Sequence, residues 1–179
     1  SAPPGTYRTA IGVRDSVSRR IGIYEWPLTI WDYSTDAINL SDIKLSLSVS
    51  PEVEDGPFVR HGNKITPNPS RLFQRAQPVF FYYEVYNLRK NESGRTAYRT
   101  DLEITMKEKK MNIIWRILSG FGMLVRNSDK ENQTVLISYD GEGTRSDEYL
   151  FTSLDTGDSP AGDYTVTLTI TDLSSGQTI

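Results

Sequence analysis

Hydrophobic and polar residues alternate singly along much of the chain. In DYTVTLTIT, Tyr164, Val166, Leu168 and Ile170 fall on one side of an extended backbone and Thr165, Thr167, Thr169 and Thr171 on the other. That pattern predicts a strand with one dry and one wet face. DIKLSLSV gives a dry set of Ile43, Leu45, Leu47 and Val49, and TAYRTDLEITMK gives Tyr98, Leu102, Ile104 and Met106. PVFFYYEVYNL is apolar on both faces, as in a central strand or one covered by a neighbour. TVLISY and EYLFTSL read as shorter strands, and clusters of Gly, Asn, Asp and Pro separate all these segments. Together they predict an all-β fold, an immunoglobulin- or fibronectin-like antiparallel β-sandwich of about seven strands. One stretch departs from the pattern. MNIIWRILSGFGMLV sets Ile114, Leu118 and Phe121 at helical spacing, which predicts a short helix over 111–125 inside an insertion at about 107–133. A hairpin hinged at Ser119-Gly120 fits the same residues.

The alternation also repeats at long range. PPGTYRTAIGVRDSVSRR near the start and PAGDYTVTLTITDLSSGQ near the end align at a constant offset of 157 residues. Pro3 matches Pro160, Gly5 matches Gly162, Tyr7 matches Tyr164, Ile11 matches Leu168, Val13 matches Ile170, Asp15 matches Asp172 and Ser18 matches Ser175. Each phrase reads as one physical unit. Gly5 and Gly162 permit the turn into a strand, and Tyr7 and Tyr164 anchor the strand's start in the manner of a tyrosine corner. Asp and Ser then close the following turn through side-chain to backbone bonds.

The first copy continues through IGIYEWPLTIWDY, a second strand in which Pro27 signals an edge or a bulge. The expected organisation is therefore tandem: residues 1–35 as the C-terminal hairpin of a preceding β-unit, and residues 36–179 as a sandwich lacking its last strand. A lone hairpin cannot bury its apolar face. Residues 1–35 are thus expected to dock onto 36–179, within one chain or between two, the alternative being a flexible hairpin beside an independent domain. The expected partners are neighbouring β-units or another protein, with a strand-exchanged homo-oligomer as one form.

Composition narrows the function. Among 179 residues, 20 basic and 23 acidic side chains leave a net charge of −3, so no global field gathers nucleic acid or an anionic membrane. The sequence has no cysteine, which removes disulfides, thiolate nucleophiles and cysteine metal sites, and leaves the redox compartment open. No stretch approaches the ~18 apolar residues of a membrane span. The chain opens in mid-phrase without the profile of a signal peptide, so a leader further upstream is compatible with it.

The phrases LSDIKLSLSV, GNKITPNPSRLFQRAQPVFFYYEVYNL and PAGDYTVTLTITDLSSGQ, in that order, resemble the C-terminal β-region of bacterial GWxTD-domain proteins. PPGTYRTAIGVRDSVSRR matches the end of the module before it, so the resemblance spans most of residues 1–179. It rests chiefly on the Pro-Asn-Pro-Ser turn followed by an aromatic strand ending in Tyr-Asn-Leu. It implies a β-region of a larger exported protein, periplasmic or elsewhere in the cell envelope. The Gly-Trp-x-Thr-Asp motif itself is absent from this chain, and the family supplies no catalytic residue to carry over.

Candidate chemistry is sparse. His61 sits in the polar turn RHGNK with no identifiable orienting partner, so an exposed loop residue is expected rather than a catalytic base. Asp140, Glu142, Asp147 and Glu148, and Asp155 with Asp158, lie in acidic, glycine-containing stretches that offer some oxygen ligands for calcium. Turns use the same residues, and neither stretch has EF-hand spacing; no metal or cofactor is expected. Lys107, Lys109, Lys110 and Arg116 beside Ile113, Ile114 and Trp115 suit a membrane-surface or partner-docking helix, or more plainly a crossover whose lysines face water. The best binding candidate is the stripe Phe80, Tyr82 and Tyr86, with Glu84, on one face of the aromatic strand. Left open, it would stack a sugar ring or seat a protein partner; beneath the N-terminal hairpin or the MNIIWRIL segment, it is packing. These readings favour a non-catalytic structural or protein-interaction module over a carbohydrate-binding module, and both over an enzyme. Neither nucleic acid nor membrane contact is expected.

Overall fold

The computed structural model describes residues 2–107, 116–117, 124–129, 134–157 and 159–179. The chain divides into two compact units, Ser1–Asp36 and Ala37–Ile179. The first is a single antiparallel hairpin of β1 (Gly5–Arg14) and β2 (Ile21–Ile30), in unbroken register from Gly5 opposite Ile30 to Arg14 opposite Ile21. Period 2 places Tyr7, Thr9, Ile11 and Val13 on one face with Tyr24, Trp26 and Leu28 opposite them. The other face carries the Arg8–Glu25 ion pair and the Thr6–Thr29 hydroxyl contact.

The second unit is all-β. Its strands are β3 (Asn39–Leu40), β4 (Lys44–Pro51), β5 (Val59–Arg60), β6 (Asn63–Pro67), β7 (Val79–Tyr86), β8 (Thr96–Met106), β9 (Arg116–Ile117), β10 (Leu124–Asp129), β11 (Thr134–Gly143), β12 (Glu148–Asp155) and β13 (Tyr164–Asp172). They form two antiparallel sheets, one ordered β5-β6-β4-β7-β12-β9 with β3 also on β7, the other β10-β11-β8-β13. One core joins them. Phe81, Tyr83, Val85 and Leu154 of the first sheet pack in a single cluster with Leu102, Ile104, Ile137, Leu168 and Ile170 of the second, so the unit is a β-sandwich. A chain of hydroxyls crosses this core: Tyr83 to Tyr139 at 2.8 Å, and Tyr139 to Thr152 at 2.7 Å. Its members satisfy one another, which is the condition for carrying polar groups inside.

Local sequence explains most elements. β7, apolar on both faces, lies in the middle of its sheet between β4 and β12. β8 buries Tyr98, Leu102, Ile104 and Met106, and adds Thr96 and Thr100 to the dry side. Two expectations are corrected. In β4 the register slips between Ser46 and Ser48, a β-bulge at which Leu47 is 38% exposed, so Leu47 leaves the dry set. Within 111–125, where a helix is expected, the described residues are extended: Arg116–Ile117 pairs with Asp155 and Leu154 as a strand, and Leu124 and Val125 pair with β11, while the alternative hinge Ser119-Gly120 lies outside the described residues. The backbone bonds offered by neighbouring strand edges override a short helical spacing that glycine interrupts. The anchoring positions Ile114, Leu118 and Phe121 lie outside the described residues, as do Lys109, Lys110, Ile113 and Trp115 of the basic cluster.

The two repeated phrases form the same structure bond for bond. The Tyr7 hydroxyl donates to the Pro3 carbonyl at 2.6 Å and the Tyr164 hydroxyl to the Pro160 carbonyl at 2.6 Å. Asp15 Oδ1 accepts from Val17 N and Oδ2 from Ser18 Oγ; Asp172 Oδ1 accepts from Ser174 N and Oδ2 from Ser175 Oγ. Asp15 N donates to Arg20 O as Asp172 N does to Gln177 O, and Arg19 N donates to Asp15 O as Gly176 N does to Asp172 O. Arg19 and Gly176 share a left-handed backbone, with φ of 59° and 75°. Even the return strand begins alike, Thr178 bridging Thr171 as Ile21 faces Arg14.

The two glycines differ from each other. Gly5 takes a φ of 150°, whereas Gly162 has no positive φ and a Cβ there would meet the terminal methyl of Met106 at 2.6 Å. Equivalent glycines thus serve backbone freedom in one copy and close packing in the other.

Candidate functional site

The richest polar constellation lies on the outer face of the larger sheet, around Glu84. Period 2 along β7 puts Phe80, Tyr82, Glu84 and Tyr86 on this face. Antiparallel register adds Tyr149 opposite Glu84 and Phe151 opposite Tyr82 from β12, and Lys44 opposite Tyr82 from β4. The hairpin of β5 and β6 turns at His61 and Gly62, with φ of 48° and 76°, both positive as a two-residue type I′ turn requires. That turn stacks the His61 ring on Tyr149 with centroids 3.3 Å apart and planes within 4°. Arg145 lies over the same tyrosine ring at 4.8 Å and donates to its hydroxyl at 3.0 Å.

Glu84 is the hub. Its Oε1 accepts from the Tyr82 hydroxyl at 2.8 Å and its Oε2 from the Tyr86 hydroxyl, while His61 Nε2 stands 3.8 Å from Oε1. Burial by itself would raise the Glu84 carboxyl. The donated bonds from Tyr86 and Tyr82, with His61 and Lys44 nearby, outweigh it and hold the group below its ordinary value. Burial, and then Glu84, push the Tyr82 phenol well above its own ordinary range. A general acid or base at neutral pH needs a value near 7, and both groups move away from it. The arrangement therefore suits cohesion of the sheet face rather than proton transfer.

Phe80, Tyr82 and Tyr86 do share one face, but Tyr82 is only 1% exposed, and Phe80 and Tyr86 are half-buried. The stripe is a packed seam, because the same register that aligns it brings Lys44 over the Tyr82 ring and Phe151 alongside. Phe151, 50% exposed, is the aromatic that this sheet leaves open. His61 is an exposed turn residue, as expected, and its ring is stacked on Tyr149. Glu84 is the residue that sequence reasoning undervalued; tyrosines two positions to either side on a strand were the available signal, whereas His61 arrives by topology alone.

The acidic stretches are occupied. Asp140 takes Arg99 Nε at 2.7 Å and Nη2 at 3.1 Å, Glu142 pairs with Arg95 at 2.9 Å, and both lie in β11 rather than a loop. Asp147 accepts from Asn87 N, Glu148 from Arg145 N and Asp155 from Gly157 N. Among the described residues no three carboxylates or imidazoles gather as metal ligands, and Asp158 lies outside them. Tyr7, Tyr164, Gly5 and Gly162 all sit at strand entries, in the equivalent bonded positions described above. No family model, no curated protein and no solved structure matches the chain.

Proposed function

We propose that this chain is a non-catalytic structural or protein-interaction module, built from equivalent immunoglobulin- or fibronectin-like β-units within a larger exported protein of the bacterial envelope. The observation that carries the reading is the repeated phrase, whose tyrosine anchor, aspartate-closed turn and left-handed residue recur 157 positions apart with the same partners. Repetition of a supporting turn is what a scaffold of similar units requires. The direction of the Glu84 and Tyr82 shifts supports a non-catalytic role, and the resemblance to GWxTD-domain proteins supports export and the tandem arrangement.

Exchange tests it. Replacing residues 160–177 by residues 3–20 in the full chain is expected to preserve a single cooperative unfolding transition. The cost, ~2–4 kcal/mol, comes from Leu168→Ile, Ile170→Val and Val166→Thr at core positions. Loss of cooperative folding would show that the phrases are not interchangeable and would remove the basis for the reading. Specific glycan binding abolished by Phe151→Ala would replace it with a carbohydrate-binding role.

A further inference from the structure

The turn at His61 does not lie where a flat sheet would put it. Asn63 pairs with Pro51, so the turn lies past one end of β4, whereas Tyr149 faces Glu84, past the Lys44 end. At ~3.3 Å per residue β4 alone would hold the two about 23 Å apart, and the three ladders from β6 to β12 would add ~14 Å sideways. Their ring centroids are 3.3 Å apart. The ribbon made of β5, β6 and the far half of β4 therefore folds back across the outer face of its own sheet.

Burial agrees with that path. Tyr82 points outward from β7 and Ile65 belongs to the ribbon, yet they are 1% and 3% exposed. Neither is part of the cluster that joins the two sheets, and no member of that cluster comes from residues 47–67. Ribbon and outer face thus make a second, smaller apolar contact, separate from the core. Both stems of the ribbon carry a break in the ladder. On one the register slips between Ser46 and Ser48; on the other Pro67-Asn68-Pro69 ends β6 with two residues that have no N–H to donate. Asn68 is tied to the body, its N donating to Leu45 O at 2.8 Å and its Nδ2 to Leu72 O at 2.7 Å. At the far tip the hold is made by side chains, the His61 ring on Tyr149 with Nε2 3.8 Å from Glu84 Oε1.

We propose that residues 47–67 are a hinged flap, latched by His61 on Tyr149, which swings off the sheet as one body and uncovers the aromatic face around Tyr82. The bulge and the proline pair give each stem a place to bend while the core cluster stays intact, so opening is local rather than global. Closed, the flap is the internal cover of the Phe80, Tyr82 and Tyr86 stripe. Open, Tyr82 and Ile65 reach solvent together, and the stripe becomes a cryptic surface carried by the minor state. The flap goes beyond the interaction-module reading and does not rest on it.

Hydroxyl-radical footprinting of the full chain, read by mass spectrometry at single residues, tests this. His61→Asn removes the ring and keeps a residue suited to the left-handed backbone of the turn. The expected result is labelling of Tyr82 and Ile65 raised together, about threefold or more, with Tyr83 and Ile104 of the core unchanged. Tyr149→Leu removes the other half of the stack and is expected to give the same pattern, and the double variant no more than either single one. Unchanged labelling of Tyr82 and Ile65 in either variant would overturn the proposal. A rise at Tyr82 without Ile65 would mean that one side chain had loosened, and a rise that extends to Tyr83 would mean general unfolding; each overturns it as well.

Discussion

The two copies of the repeated phrase are one local structure in two environments. Their turns agree to the individual bond, yet Ile11 and Val13 are 54% and 67% exposed while their counterparts Leu168 and Ile170 are 9% and 0% exposed. Asp15 is exposed and Asp172 is 1% exposed, where it also accepts from Arg89 N at 2.9 Å. The turn is thus specified by its own residues, through the Asp-x-x-Ser side chains and a left-handed residue that needs no outside partner. Burial is specified elsewhere, by β8 alongside and by the facing sheet that supplies Phe81 and Tyr83. Comparing the copies separates what a sequence encodes locally from what a core adds.

The largest expected effect breaks that contrast in the core. Ile170→Ala should cost ~2–5 kcal/mol in chemical denaturation of the full chain, since it empties a fully buried site. Val13→Ala at the matching position should stay within ~0.5 kcal/mol. Equal losses would mean that the hairpin face is buried in solution.

Next come the aspartates. Asp172→Ala should cost ~2–3 kcal/mol, because it strands the Arg89, Ser174 and Ser175 donors. Asp15→Ala should cost less, having no buried donors to abandon. Acid sharpens the difference. Burial would raise the Asp172 carboxyl, but the bonds from Ser175, Arg89 N and Ser174 N prevail and lower it. A folded value below the unfolded ~3.9 makes the contribution complete above that pH, and removes it as pH falls through the lower folded value. Denaturation midpoints measured from pH 7 down to 2.5 should therefore drop below about pH 4, and less steeply in Asp172→Asn.

The smallest effect concerns the left-handed position. Gly176→Ala should cost ~1 kcal/mol from backbone strain alone, since an added Cβ there meets nothing within 4 Å. The matching Arg19→Gly should leave thermal unfolding unchanged or slightly improved.

Legibility in the sequence follows the range of the forces involved. β8 and β13 could be read because alternation reports burial directly, β7 because its run is apolar on both faces, and the repeated turn because its bonds close within a few residues. Leu47 could not, since a bulge depends on how β4 meets β6. Residues 116–117 were misjudged because a two-residue strand is defined by its neighbour, here Leu154 and Asp155. At the Glu84 cluster the tyrosines were visible as a stripe, but their covering by Lys44 and Phe151, and the arrival of His61, are products of three separate pairings. Gly162 looked like Gly5 until Met106 supplied a different reason for the same residue.

Pro27 sits midway along the outward rim of β2, opposite Arg8. A newcomer stacking against that rim finds a gap where a hydrogen-bond donor is needed. Runaway side-by-side accretion of these hairpins along that rim is blunted at its first step.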